Sequence, residues 1–152
     1  EVVELSVYHE NDNYLIASAS GRGFIVNTSD LIASTRSGKK IMNLKQGDKS
    51  ISCCKVIGDY IGVISGDKKS LKFLTYDLSE IPQMQKGRGI TLQKIKIGKT
   101  FYAFTYKKED GIIFMNKNKK TIPFNDIKPW LGKRAQAGKI QPKNLLNRLL
   151  DK

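Results

Sequence analysis

The stretch "YIGVISGDKKSLKFLTYDLSEIPQMQKGRG", residues 60–89, decides the fold. Two apolar runs, "YIGVIS" and "LKFLTY", flank Gly66-Asp67-Lys68-Lys69. Short β-rich runs joined by such a polar turn predict a hairpin, because Gly and Asp tolerate the turn's backbone at little steric cost. Asp77 follows the second run, and a Gly87-Arg88 pair closes the unit. The same order of events starts at Tyr14, in "YLIASASGRGFIVNTSDLIASTRSGKK", and at Gly111, in "GIIFMNKNKKTIPFNDIKPWLGKRAQAGK". The aspartates Asp30, Asp77 and Asp126 are 47 and 49 residues apart, and the glycines of Gly38-Lys39, Gly87-Arg88 and Gly138-Lys139 are 49 and 51 apart. Periods of this length indicate propeller-like blades or another array of supersecondary units.

Further period-2 runs, "KIMNLK", "ISCCKVI", "ITLQKIKI" and "FYAFTYK", fill the intervals, the third changing phase between Leu92 and Ile95 as at a bulge. The expectation is an all-β chain of about three four-stranded repeats, approximately 7–52, 53–100 and 101–143. Only "NLLNRLLDK" reads as helical, with Leu145, Leu146, Leu149 and Leu150 forming a stripe after an Asn144 cap. That stripe either packs on the last blade or docks a partner. The aspartates, one per repeat, are expected to make the same turn or cap contact three times rather than to bind metal.

Charge narrows the function. The chain carries 27 Lys and Arg against 14 Asp and Glu, a net +13, and the excess climbs from +1 in residues 1–58 to +4 in 59–106 and +8 in 107–152. Such an excess points to a polyanionic partner, nucleic acid or an anionic surface, with solvated lysines as the competing reading. No apolar run approaches the length that spans a bilayer. The opening "EVVELSVYHE" has no initiator Met, basic n-region or apolar core, so it reads as a piece of a longer protein rather than a signal peptide. Cys53 and Cys54 are adjacent and His9 is the sole histidine, which excludes a disulfide framework and a four-ligand zinc site of these residue types. On a strand, one cysteine of the pair is expected to face a core and the other not. Gly87-Arg88-Gly89 is not a nucleotide loop, because "ITLQKIKI" after it is a strand pattern and no helix follows to face a phosphate.

Cations at turns project from a sheet edge, and neighbouring glycines let backbone N–H groups approach a phosphate. The candidates for holding such a polyanion are Arg22, Arg36, Lys39 and Lys40 in the first repeat. The second offers Lys68, Lys69, Lys72, Lys86 and Arg88, and the third Lys117, Lys119, Lys120, Lys133, Arg134 and Lys139. Arg22, Arg88 and Arg134 rank slightly above the rest, since a guanidinium can hold a phosphate bidentately. Nothing suggests a helix for the major groove, so such binding is expected to be indifferent to base sequence. Trp130 is read as a blade aromatic rather than a base-stacking platform. The tyrosines Tyr8, Tyr14, Tyr60, Tyr76, Tyr102 and Tyr106 are read as packing residues.

Four ordered motifs, "LIASASGRGFIV", "STRSGKKIMNL", "SEIPQMQKGRGITLQKIK" and "WLGKRAQAGKIQPK", resemble the C-terminal region of the A subunits of bacterial type IIA topoisomerases, most closely those of topoisomerase IV of alphaproteobacterial type. The resemblance runs from about Val7 to Lys143. It implies a β-pinwheel of four-stranded blades with a strand exchanged between neighbours, and duplex DNA bound on a basic rim. It also implies that no catalytic residue, metal or cofactor site lies in this region. ATP and Mg would serve the parent complex, built from a dimer of A subunits with ATPase B subunits. The setting would be cytoplasmic and nucleoid-associated, with no membrane. The gyrase relatives carry a Gln-Arg-Arg-Gly-Gly-Lys-Gly type box for wrapping DNA. The nearest string here, Gln85-Lys86-Gly87-Arg88-Gly89, falls short of it. A gyrase-like wrapping domain and a basic protein-interaction module remain as the alternatives.

Overall fold

A computed structural model describes residues 12–30, 48–114, 120–142 and 144–150. Two antiparallel hairpins make the frame: β1 (Asn13–Ser18) with β2 (Arg22–Asn27), and β4 (Tyr60–Asp67) with β5 (Ser70–Asp77). Each inner strand gains a second partner, β3 (Ser50–Lys55) on β1 and β7 (Lys99–Tyr106) on β4. Each outer strand gains a two-residue strand from farther along the chain. β6 (Ile90–Thr91) pairs with β2, and β10 (Lys139–Ile140) pairs with β5. The result is two four-stranded sheets, β3-β1-β2-β6 and β10-β5-β4-β7, and a third hairpin of β8 (Ile112–Ile113) and β9 (Thr121–Ile122).

Strand exchange staggers the sheets against the sequence repeats. β6 lies in the second repeat but completes the first sheet, and β10 lies in the third but completes the second. Before each exchanged strand the chain runs as a strap along the outer edge of the blade. Ile25 exchanges backbone bonds with Pro82 O (3.0 Å) and Met84 N (2.7 Å), and Gly132 N reaches Thr75 O at 2.9 Å. Parallel bridges at Ile25–Gln83 and Thr75–Leu131 mark these straps, which satisfy edge groups that would otherwise invite pairing with another chain. The glycine opening each exchanged strand has positive φ, 75° at Gly89 and 78° at Gly138. A Cβ there would lie 2.4 Å from Gly23 O and 2.5 Å from Phe73 O respectively, so the close approach of backbones requires glycine.

That register corrects the alignment read from sequence. Gly138 corresponds to Gly89, not Gly87, so Lys139 corresponds to Ile90 and the recurring feature is the glycine rather than a Gly-cation pair. The acidic position shifts likewise. Asn27 and Asp77 end equivalent strands and each accepts from the backbone N two residues on, at 3.0 and 2.8 Å. Counted from the residue before the short helix that follows each hairpin (Asn27, Asp77 and Pro123), Asp30 and Asp126 match Glu80 rather than Asp77, so the three aspartates are not equivalent positions.

Packing is layered, and both faces of each four-stranded sheet are apolar. Leu15, Ala17 and Ile25 of the first sheet meet Ile61, Val63, Leu74, Tyr76 and Ala103 of the second. The second sheet's other face sets Ile64, Phe73, Phe104 and Tyr106 against Ile112, Phe114, Phe124, Ile127, Leu145 and Leu146. Tyr14, Ile16, Phe24 and Val26 cluster on the far face of the first sheet, so Cys54 and Cys53 pack on opposite apolar clusters and neither faces outward as a solvent residue. Each fully buried large side chain contributes about 1.5–3 kcal/mol. At the centre of β4, Gly62 leaves room for the parallel rings of Phe73 and Phe104 (centroids 6.2 Å apart), and a Cβ would stand 2.5 Å from Phe104 Cζ.

Three local expectations change. "ITLQKIKI" is a strand only at Ile90–Thr91, because Gln93 is buried and its amide donates to Ala137 O (2.9 Å) and Lys72 O (3.3 Å), pulling the chain out of the sheet. "TIPF" gives β9 and then a one-turn helix α1 (Phe124–Ile127), which Pro123 introduces as a residue unable to continue a ladder. The C-terminal helix α2 (Leu145–Leu150) is present, but Asn144 has φ 59° and the side-chain acceptor for its first turn is Gln141, 3.0 Å from Leu146 N. Leu145 and Leu146 are buried and Leu149 packs beside them, whereas Leu150 is exposed.

Candidate nucleic-acid interface

The β4–β5 turn is built by Asp67, whose carboxylate accepts from Lys69 N (2.9 Å) and Ser70 N (2.8 Å). That local bond turns the acid onto its own backbone and leaves Lys68 and Lys69 exposed. Against this turn lies the loop joining β6 to β7. Gly98 has φ 97°, and a Cβ on it would meet Gly66 O at 2.0 Å, so the two backbones touch. Lys99 pairs with Gly66 at the start of β7, and Ser65 Oγ and Thr100 Oγ1 are bonded at 2.8 Å beneath.

The outcome sets the turn with Lys68 and Lys69, followed by Lys72, against the loop that carries Lys94, Lys96 and Lys99, the last with its Nζ 5.1 Å from the Phe101 centroid. A cleft of about 200 Å³ between turn and loop is lined by Lys72, Lys94 and Lys96, with Ser65, Ser70 and Gln93. Lys72 is half-buried, and the other five lysines are exposed. The carboxylates described at this end are both engaged. Asp67 holds the turn, and Asp48 accepts from Ser20 Oγ (2.6 Å), Lys49 N (2.9 Å) and Ser20 N (3.0 Å). Burial pushes the Asp48 carboxyl up, but those bonds outweigh it and hold the group below its ordinary value, so it stays charged.

At the opposite end of the same strands the charges are mixed. Asp59, Glu109, Asp110, Lys107 and Lys108 line a wide cleft with Phe124, and the Asp59 carboxylate accepts from Lys108 N at 3.2 Å. The Lys108 ammonium also stands over an aromatic face, its Nζ lying 5.2 Å from the Phe124 centroid. On the first sheet, Lys55 pairs with Asp12 at 3.3 Å.

Of the candidates named from sequence, Lys68, Lys69 and Lys72 share this basic surface. Lys86 and Arg88 are exposed on the first strap, Lys133 on the second, Lys139 on β10 and Lys120 beside β9. Arg22 and Arg134 are half-buried and turned onto protein. Arg22 Nη2 donates to Gly89 O (2.7 Å) and Arg134 Nη1 to Thr91 O (2.9 Å), so the two guanidiniums grip β6 from either end. Trp130 does the same for β10, donating from Nε1 to Ile140 O at 2.7 Å while its ring packs on the Phe73 cluster. Arg36, Lys39, Lys40, Lys117 and Lys119 lie outside the described residues, as do Tyr8 and His9. The described tyrosines all belong to the apolar clusters. Lys94, Lys96 and Lys99 were missed because cations were sought at turns, whereas residues 90–97 were read as one continuous strand. The glycine at 98, which breaks that strand, was the available signal.

Comparison with known proteins matches the geometry. Residues 12–53 match the family model described as DNA gyrase C-terminal domain, beta-propeller. The A subunit of DNA topoisomerase 4 from Rickettsia bellii is 39% identical over 142 residues, covering 93% of the chain, and that from Caulobacter vibrioides is 27% identical over 143 residues, covering 94%. The chain spans only 19% and 18% of the length of these two relatives. Among solved structures, the E. coli ParC C-terminal domain superposes with a TM-score of 0.72 at 20% identity, over 90% of this chain and 58% of that one. A DNA gyrase A C-terminal domain gives 0.60 at 17%, over 89% and 46%. Sequence kinship to topoisomerase IV and a shared bladed, strand-exchanged fold lead to one assignment: the chain belongs to the family of C-terminal β-pinwheel domains of bacterial type IIA topoisomerase A subunits, on the topoisomerase IV side.

Proposed function

We propose that the chain is a non-catalytic module that binds duplex DNA on the turn-and-loop end of its blades, within the A subunit of a topoisomerase IV. The observation that carries this reading is the cluster of Lys68, Lys69, Lys72, Lys94, Lys96 and Lys99 at one end of the second blade, where Asp67 and Asp48 are spent on backbone and hydroxyl donors. A rigid sheet holds these ammonium groups without asking any helix to enter a groove, which suits contact with phosphates rather than bases. Arg88, Lys86, Lys120, Lys133 and Lys139 extend the charge along the straps and outer strands. Arg22 and Arg134 serve instead by fixing the exchanged strand.

In the parent complex the module would hold a DNA segment while paired A subunits and their ATPase B subunits carry out ATP-dependent strand passage. That passage would serve decatenation or supercoil relaxation, in the bacterial cytoplasm at the nucleoid. The module needs no cofactor of its own. A gyrase-like wrapping role is disfavoured because the strap residues 85–89 lack the full box. A basic protein-interaction module is separated by competition, since duplex DNA would then fail to displace the acidic partner. The test is fluorescence anisotropy with a duplex across salt. Five to eight neutralised phosphates give a slope of log K against log salt of about −5 to −7. A slope near zero refutes the reading.

A further inference from the structure

Among the described residues, the most exposed large apolar side chain is Ile97, at 73%. Ile97 sits within the basic surface, between Lys96 and Gly98, on a loop that is fixed at several points. Lys94 N bonds to Gln136 O at 2.9 Å and Thr100 N to Ala19 O at 2.8 Å, while Gln93 rivets the start of the loop. Ile95, two residues earlier, is tucked in, its Cδ1 only 2.8 Å from where a Cβ on Gly21 would stand. The loop therefore half-buries one isoleucine and holds the next one out, at a cleft it shares with Lys94 and Lys96 and two residues before Lys99. An isolated exposed isoleucine is unremarkable on most surfaces. On a polycationic one it has a specific physical use, because apolar wedges inserted from the minor groove unstack base steps while flanking cations hold the phosphates on either side.

We infer that Ile97 is a minor-groove wedge, inserted at deformable steps of the duplex held by Lys94, Lys96 and Lys99. This rests on the DNA-binding reading above and adds a prediction that phosphate contact alone does not make. Bound DNA is locally unstacked, and pyrimidine–purine steps, which unstack most easily, are favoured. The complementary charge around Ile97 selects a nucleic acid over an apolar protein groove as its occupant.

The experiment uses short duplexes carrying 2-aminopurine at TA steps, with anisotropy and 2-aminopurine fluorescence read on the same samples. The unmodified chain is expected to bind with the steep salt slope and to raise 2-aminopurine fluorescence. Ile97→Ala should keep the slope and lose most of the rise, while Lys96→Ala should reduce the slope by about 1. Ile97→Lys, which adds charge but removes the wedge, should bind at least as tightly as the unmodified chain and still give no rise. An unaltered rise in both Ile97 variants, or tight duplex binding by the unmodified chain with no rise, overturns the wedge and leaves the DNA reading standing. Absence of duplex binding by the unmodified chain overturns both.

Discussion

The two ends of the second blade are made from the same four strands, yet they carry different chemistry. At the β4–β5 turn the single acid of the turn is folded onto backbone N–H groups, and six lysines lie on the turn and strands around it and on the loop beside it. At the other end Asp59, Glu109 and Asp110 mingle with Lys107 and Lys108, so the field is largely cancelled. Net charge alone therefore says little about where a polyanion binds. What counts is how the two signs are distributed, with six lysines against Asp67 and Asp48 at one end and two lysines against Asp59, Glu109 and Asp110 at the other.

Charge reversal breaks this contrast most directly. Replacing Lys68, Lys69 and Lys96 together by Glu should lower duplex affinity about 100-fold or more at low salt and flatten the salt slope by about 3. The Lys107/Lys108→Glu pair should leave both unchanged. Equal losses from the two variants, measured by anisotropy, would erase the distinction between the ends.

Two glycines sharpen the same contrast by stability. Gly98 and Gly58 both have positive φ, 97° and 74°, and each abuts a carbonyl, Gly66 O and Tyr106 O, with a hypothetical Cβ at 2.0 and 2.4 Å. Each substitution by Ala should cost about 2–4 kcal/mol in denaturant unfolding. Only Gly98→Ala, which displaces Lys96 and Ile97, should also weaken DNA binding in the fraction that remains folded.

Arginine position gives a smaller effect. Arg134→Ala removes a charged donor from Thr91 O and should cost about 1.5–3 kcal/mol. It should release β6 to faster amide hydrogen exchange, while Arg88→Ala leaves exchange at β6 unaltered. If the two behave alike, Arg134 is not an anchor.

The smallest effect separates the blade interior from its ends. Burial pushes the Tyr106 hydroxyl up to about 12, and burial with the nearby Glu80 raises Tyr76 further. Both phenols are easier to ionise in the unfolded chain, where their ordinary value is 10.0. Their contribution is complete below pH 10.0 and declines as pH rises through the folded value. Tm should fall across that window, and less steeply in Tyr106→Phe; a parallel decline in the variant would contradict this linkage.

Much of the fold was legible in the chain itself. Apolar runs at period 2 around Gly-Asp and Gly-Arg turns specify hairpins locally, and their recurrence specifies blades, because a hairpin buries its faces only against a neighbour. The strand-exchanged pinwheel came from a resemblance carried by four motifs, and the sheets bear it out. Alignment within the repeat was legible only in part. Gly87 and Gly89 look equivalent in sequence, but only Gly89 meets a carbonyl across the blade, a fact of register rather than of composition. For the site, the sequence determined the sign of the charge and the turn at Lys68-Lys69. Tertiary structure decided that Lys94, Lys96 and Lys99 join that turn, that Arg22 and Arg134 turn onto β6, and that Ile97 stands clear of the surface. The physical reason is that hairpins and turns arise from neighbours in sequence, whereas the partner of a guanidinium or the face of a loop is set by backbones brought together from dozens of residues away.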